Sequence, residues 1–234
     1  MKKIVLNLFL SFWVFSSYAL NALPSNLIDF SSEQGIQLFE TAEYKQSYWK
    51  LAPYFITQKT LAYCAIASSV MALNALQIEP PYTPELSPYK LFNQNNFFSE
   101  EIAKIVSPAK INHQGVTLDE AYQALQTYPV SVKRYYGSEM SKKQFMQIIT
   151  QAVSSNNSIV LVNFCRKYIG EKGCGHFSPI AAYNKQADRF LLLDVSRYKY
   201  PSVWVSSGDL YKATSTGLDS VSQKSRGLIV IKKK

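Results

Sequence analysis

The chain has 234 residues, 47% of them hydrophobic and 18% charged, with 16 Tyr and 13 Phe. That is enough apolar surface for one sizeable core, and it excludes disorder, which needs low hydrophobicity and high charge. The formal net charge of +9 comes from 25 Lys and Arg against 16 Asp and Glu. The positive residues are spread without a basic, aromatic-interleaved block, so no nucleic-acid partner is expected. A modest positive field suits a small anionic substrate, and solubility alone accounts for it equally well.

In chain order, Met1-Lys2-Lys3, the apolar stretch 4–15 and Ser17-Tyr18-Ala19 form a secretory signal pattern. The expectation is a signal peptide over 1–19, with cleavage as late as about residue 22, and a secreted or periplasmic protein. Residues 20–234 then form a single domain. The apolar run is shorter than the roughly 20 residues a membrane span needs, so no stable membrane association is expected after signal removal; a retained anchor is the alternative. Ser32-Glu33 and Gly35 suggest a short helix and loop. Residues 63–76, rich in Ala, Met and Leu and free of Gly and Pro, read as a buried helix stopped by Glu79-Pro80-Pro81. Short helices are predicted over 89–92 and 99–105, a loop over 112–115, and longer helices over 117–127 and 141–153, with Ser141 as N-cap. The second half is strand-rich: 158–164, 176–183, 189–195, 203–205 and 227–232, with 184–188 joining the second and third. Helices first and strands later indicate α+β, a helical lobe packed on an antiparallel sheet lobe.

The chemistry concentrates on few residues. Cys64 falls at the start of the predicted helix 63–76, where unpaired N–H groups and the helix dipole favour a thiolate. The same amides can face a developing oxyanion, with the Gln58 side chain as a second donor. A buried, inert cysteine in an Ala-rich helix is the competing reading. Of the two histidines, His113 reads as a solvated loop residue. His176, between Gly175 and Phe177-Ser178-Pro179-Ile180, stands at a strand start with small neighbours that leave room for a substrate. If 184–188 is an odd-length loop, His176 lies opposite Ser196 and Asp194 opposite Ser178. The two then share a sheet face at diagonal positions, and Asp194 can orient the imidazole; an even loop would separate them. An odd number of cysteines in an exported chain suggests one pair and one free thiol, and Cys165 and Cys174 flank a Gly-rich loop and can pair. No His and Cys spacing makes a metal site.

A helix-borne Cys followed by a strand-borne His and an orienting residue is the order of papain-like enzymes, although the Cys-Gly-Ser-Cys-Trp signature of papain is absent. The chain resembles phytochelatin synthases, the glutathione γ-glutamylcysteinyltransferases, in their short bacterial form, without the cysteine-rich C-terminal extension of eukaryotic members. The match is carried by Thr57-Gln58 with Ala62-Tyr63-Cys64, by Leu73-Asn74-Ala75-Leu76, and by Gly175-His176-Phe177-Ser178-Pro179-Ile180. It continues through Leu193-Asp194-Val195-Ser196-Arg197-Tyr198-Lys199-Tyr200-Pro201, Val203-Trp204 and Arg226-Gly227. The resemblance implies a papain-like fold and an acyl-transfer reaction on glutathione. Cys64 is its nucleophile, His176 its base, Asp194 the orienting residue and Gln58 the oxyanion donor. It also implies substrate-binding roles for Arg197, Tyr200 and Gly175, with a structural ion pair as the alternative for Arg197. The implied partners are glutathione and phytochelatin peptides, with a homodimer as the candidate assembly. No bound cofactor is implied; cadmium or zinc would activate as glutathione thiolates in a heavy-metal response. A papain-like peptidase of the bacteriocin-processing type and a non-catalytic binder of metal–thiolate peptides are the alternatives.

Overall fold

The computed structural model describes residues 21–234; the predicted signal peptide lies outside the described residues. Eight helices are described: α1 (Glu33–Glu40), α2 (Gln46–Leu51), α3 (Cys64–Ala75), α4 (Glu100–Ile105), α5 (Pro108–Gln114), α6 (Leu118–Gln126), α7 (Lys142–Val153) and α8 (Ser207–Ser215). The strands are β1 (Ile28–Asp29), β2 (Val130–Tyr136), β3 (Ser158–Cys165), β4 (Gly175–Asn184), β5 (Arg189–Leu192), β6 (Val203–Ser206) and β7 (Gly227–Lys233). They form one seven-stranded antiparallel sheet in the order β1-β6-β5-β4-β3-β7-β2.

The local signals explain most of these elements. Ser99, Thr117 and Ser141 cap α4, α6 and α7 with their side chains, and Thr117/Glu120 and Ser141/Gln144 complete capping boxes. All twelve residues of α3 are buried, as its lack of a polar face requires. The α+β class holds, with one refinement. The sheet is covered on both faces: α3 and α6 pack with Ile159, Leu161, Ile229 and Ile231, and α7 and α8 pack with Val160, Val162, Leu228 and Val230. Strands that are apolar on both faces leave no solvated side, so helices occupy both.

Two local expectations fail. Residues 89–92 are not helical. Buried Asn74 donates to Phe92 O (2.9 Å) and accepts from Phe92 N (3.0 Å), so its side-chain amide replaces a backbone partner and keeps the segment extended. The loop expected at 112–115 is instead the end of α5, whose N-cap is Ser107 and whose C-cap is Gly115 at φ 77°. The elements α2, α8 and β2 had no sequence expectation; the short α2 and the polar Ser207–Ser215 carry weak apolar patterning.

The link between β4 and β5 departs from the expected geometry in two compensating ways. Asn184 pairs with Arg189, so the connection has an even length, which alone would put His176 and Asp194 on opposite faces. A β-bulge between Ile180 and Ala182 adds one residue to β4 and reverses that shift. Ala181 and Ala182 accordingly join the same apolar cluster, while Ile180 and Tyr183 join the other. Beyond the bulge Ile180 pairs with Leu192, and Leu193 N bonds to Pro179 O, which is the alignment that the odd loop was expected to give.

Candidate active site

After Leu193 the chain leaves β4, and Gln58 N bonds to Val195 O, drawing the segment before α3 against the 194–198 turn. Three elements therefore meet at the splayed end of β4: the N-terminus of α3 with Cys64, β4 with His176, and the turn with Asp194. His176 Nε2 stands 2.9 Å from Asp194 Oδ1, and both side chains are buried. That contact leaves Nδ1 as the ring nitrogen for Cys64, whose thiol lies within hydrogen-bonding reach of the ring and of the Phe177 backbone. Phe164 packs edge-on against the imidazole, 5.5 Å between centroids.

Charge distribution follows from this packing. Burial, the largest influence on Cys64, pushes its thiol up; the charge and hydrogen bond of His176, the Phe177 backbone and Arg166 outweigh it and hold the pKa below the ordinary value. Burial pulls His176 down, but the Asp194 carboxylate and the Cys64 thiolate raise it overall. Asp194 is held at about 2 against burial by His176, Arg166 and the Ser196 N–H. Both shifts run in the direction that favours the thiolate–imidazolium form of the pair.

Cys64 is 8% exposed and opens on a groove of ≈ 560 Å³. The floor carries Asn163, Gly175 and Arg226, and the rim exposes Leu61, Leu218 and Val221. Arg226 Nη1 donates to Asn163 Oδ1 (3.3 Å) and pairs with Asp219 (3.3 Å), while its buried Nε has no protein partner. Gly175 makes room for it: a Cβ there would stand 2.8 Å from Arg226 Nη1. His113 lies at the end of α5 and also lines the groove.

The amide of Gln58 is engaged within the protein, with Nε2 donating to Thr60 O (2.7 Å) and Tyr198 Oη (2.8 Å), and Oε1 accepting from Ser196 Oγ (2.8 Å). Donation to an oxyanion requires the half-exposed Tyr198 to be displaced. Tyr200 is corrected from a substrate contact to a packing residue. It is 1% exposed, its hydroxyl accepts from Lys172 N (2.8 Å), and the Arg166 guanidinium lies over its ring at 5.2 Å. Arg197 is exposed and lies over the Phe55 ring (4.8 Å), outside the groove lining. Cys165 and Cys174 are joined by a disulfide, leaving Cys64 as the free cysteine.

Sequence reasoning missed Arg166, Glu171, Asp219 and Asn163. Arg166, 2% exposed, bonds Asp194 Oδ1 (2.9 Å) and Oδ2 (2.7 Å) through Nη2 and holds Glu171 through Nη1. Its place directly after Cys165 at the end of an apolar strand was the available signal, since a charge so placed needs a buried partner.

Comparison with known proteins decides the family. The family model described as phytochelatin synthase matches residues 18–228. The chain belongs to the phytochelatin synthase family. Glutathione γ-glutamylcysteinyltransferase 1 of Arabidopsis thaliana is 31% identical over 214 residues, covering 90% of this chain and 43% of that protein. Its counterpart in Schizosaccharomyces pombe is 28% identical over 223 residues, covering 92% and 51%. The chain thus spans about half the length of the curated relatives it matches. Among solved structures, a prointerpain A fragment from Prevotella intermedia matches with a TM-score of 0.40 and 13% identity, covering 82% of this chain and 72% of that one. At that score the likeness places no constraint on this member of the phytochelatin synthase family.

Among the described residues no group of three His, Cys, Asp or Glu side chains is arranged to hold a metal ion, and no helix is long and apolar enough to cross a membrane.

Proposed function

We propose that the chain cleaves the Cys–Gly amide of glutathione through an acyl-enzyme on Cys64. The observation that carries this reading is the buried line Cys64–His176–Asp194 with its thiol at the wall of the groove. The Cys64 thiolate attacks the scissile carbonyl, and the His176 imidazolium gives its proton to the departing glycine amine. The N–H groups of the first turn of α3, which have no intrahelical partners, face the oxyanion. The Arg226 guanidinium and the Asp219 carboxylate, both of which line the groove, offer opposite charges to the γ-glutamyl end, which carries a carboxylate and an ammonium.

The acyl group then passes to the α-amine of a second glutathione or of a growing phytochelatin, or to water, giving γ-Glu-Cys. Cadmium or zinc enters as the thiolate complex of the acceptor. The sequence pattern of residues 1–19 supports export to the periplasm or beyond.

Mass spectrometry of the products from glutathione, with and without cadmium or zinc, tests the reading. Free glycine with longer γ-Glu-Cys peptides is the expected result. Absence of glycine, with cleavage of a peptide library instead, identifies a peptidase; binding without turnover identifies a thiol-peptide binder.

A further inference from the structure

A second cysteine lines the groove. Cys174 lines the same cavity as Cys64, whereas its disulfide partner Cys165 has no exposed surface. Cys165 packs under Gly217, where a Cβ would stand 2.7 Å from Cys165 Cβ. One face of the disulfide is open to the groove and the other is closed by the fold.

We propose that the Cys165–Cys174 disulfide is a thiol-exchange site, at which a thiol peptide of the kind the proposed reaction consumes becomes attached to Cys174. The inference rests on that reading only for the identity of the thiol. A thiolate attacks Sγ of Cys174, an S–S bond forms between peptide and Cys174, and the Cys165–Cys174 bond breaks with its electron pair leaving on Cys165. The proton released when the incoming thiol ionised returns to Cys165, so no external oxidant or reductant is needed. Attack in the other sense is blocked because Cys165 Sγ cannot be reached.

The surroundings favour the incoming thiolate. Arg226 lies on the floor of the groove, and Lys199 Nζ reaches Lys172 O (2.9 Å) and stands 3.4 Å from the Cβ position of Gly173, next to Cys174. Both cations raise the local thiolate fraction.

Attachment has consequences for the site. The attached peptide occupies the groove beside Cys64 and excludes substrate. The freed loop carries Arg166 and Glu171, and after exchange it is held by backbone bonds such as Lys167 N to Gly173 O (3.0 Å) and Arg166 N to Cys174 O (3.3 Å). Capped enzyme should therefore turn over more slowly than the disulfide form.

The test uses the full-length oxidised protein and reduced glutathione, with free thiols trapped by alkylation in acid and the cysteines mapped by peptide mass spectrometry. The expected result is a glutathionyl group on Cys174, an alkylated Cys165, and lower glycine release until the cap is removed by a phosphine. S-methylglutathione, which has no thiol, should leave the disulfide intact. Glycine release with an unexchanged disulfide at every glutathione concentration, or a cap found on Cys165, overturns the inference alone. Exchange at Cys174 with no glycine release even after a phosphine has removed the cap supports it and overturns the activity reading instead.

Discussion

A thiol held below its ordinary pKa beside an imidazole held above its own has the charged form of both members favoured. Turnover should fall with acid as Cys64 takes a proton and fall with alkali as His176 loses one. The acid limb of kcat/KM belongs below the usual thiol range and the alkaline limb above the usual imidazole value of 6.5. A pH–rate profile whose alkaline limb sits at or below that value would contradict the ion pair. Cys64→Ala and His176→Ala should each reduce glycine release by roughly 10³-fold or more, because such groups act as a unit; circular dichroism should show the fold retained. Stability follows the same linkage with two signs. Asp194, held at about 2 against an ordinary 3.8, contributes stability that is complete above pH 3.8 and lost as pH falls toward 2. His176, raised above 6.5, contributes below pH 6.5 and loses that contribution as pH rises through its folded value. Denaturant midpoints across pH measure both.

The elements that carry these residues depend on buried polar contacts more than on helix or strand propensity. Arg166 bridges two buried carboxylates, Asp194 and Glu171, and the latter's pKa is raised, first by burial, with the Arg166 charge opposing. Arg166→Met would leave Glu171 without a cation and Asp194 with His176 alone, with an expected loss of about 3–5 kcal/mol in denaturant unfolding. The double variant Arg166→Met, Glu171→Gln should lose less, since it removes a carboxylate together with its partner. Asn74→Ala orphans the buried Phe92 N–H and C=O at once, which should cost roughly 1–3 kcal/mol in the same measurement. The bulge in β4 is the element-scale feature on which the site turns. Deleting Ala181 would leave the even-length loop uncorrected and shift residues 175–180 by one position. Unfolding measurements should then show a weakened core, and no glycine release should remain even where the chain still folds. The central residues of this site were legible, since Cys64, His176 and Asp194 are specified by residue type and element. The bulge was not, because an extra residue in an Ala-Ala strand has no side-chain signature; the expected alignment was reached through an odd loop that the protein does not have.

At the scale of the molecule, one sheet between two helical layers closes around the site. The disulfide closes a loop of about ten residues, for which chain entropy gives roughly 2–3 kcal/mol of stabilisation. Cys165→Ser with Cys174→Ser should lower the unfolding free energy by that amount at constant pH. The second helical layer, α7 with α8, was only half visible: the Ser141 capping box marks α7, but Ser207–Ser215 is too polar to declare itself.

Sequence alone determined the α+β class, the buried helix that begins at Cys64, the identity of the thiol–imidazole–carboxylate set and the family resemblance. Each of these is written in residue type and local periodicity. Only the tertiary structure decided that Arg166 steadies Asp194, that Tyr200 is packing and that Arg226 floors the groove. It also decided that the Gln58 amide is engaged and that a bulge sets the alignment. These depend on which buried polar groups find one another across long chain separations, and a partner supplied by a distant segment leaves no mark on its neighbours in sequence.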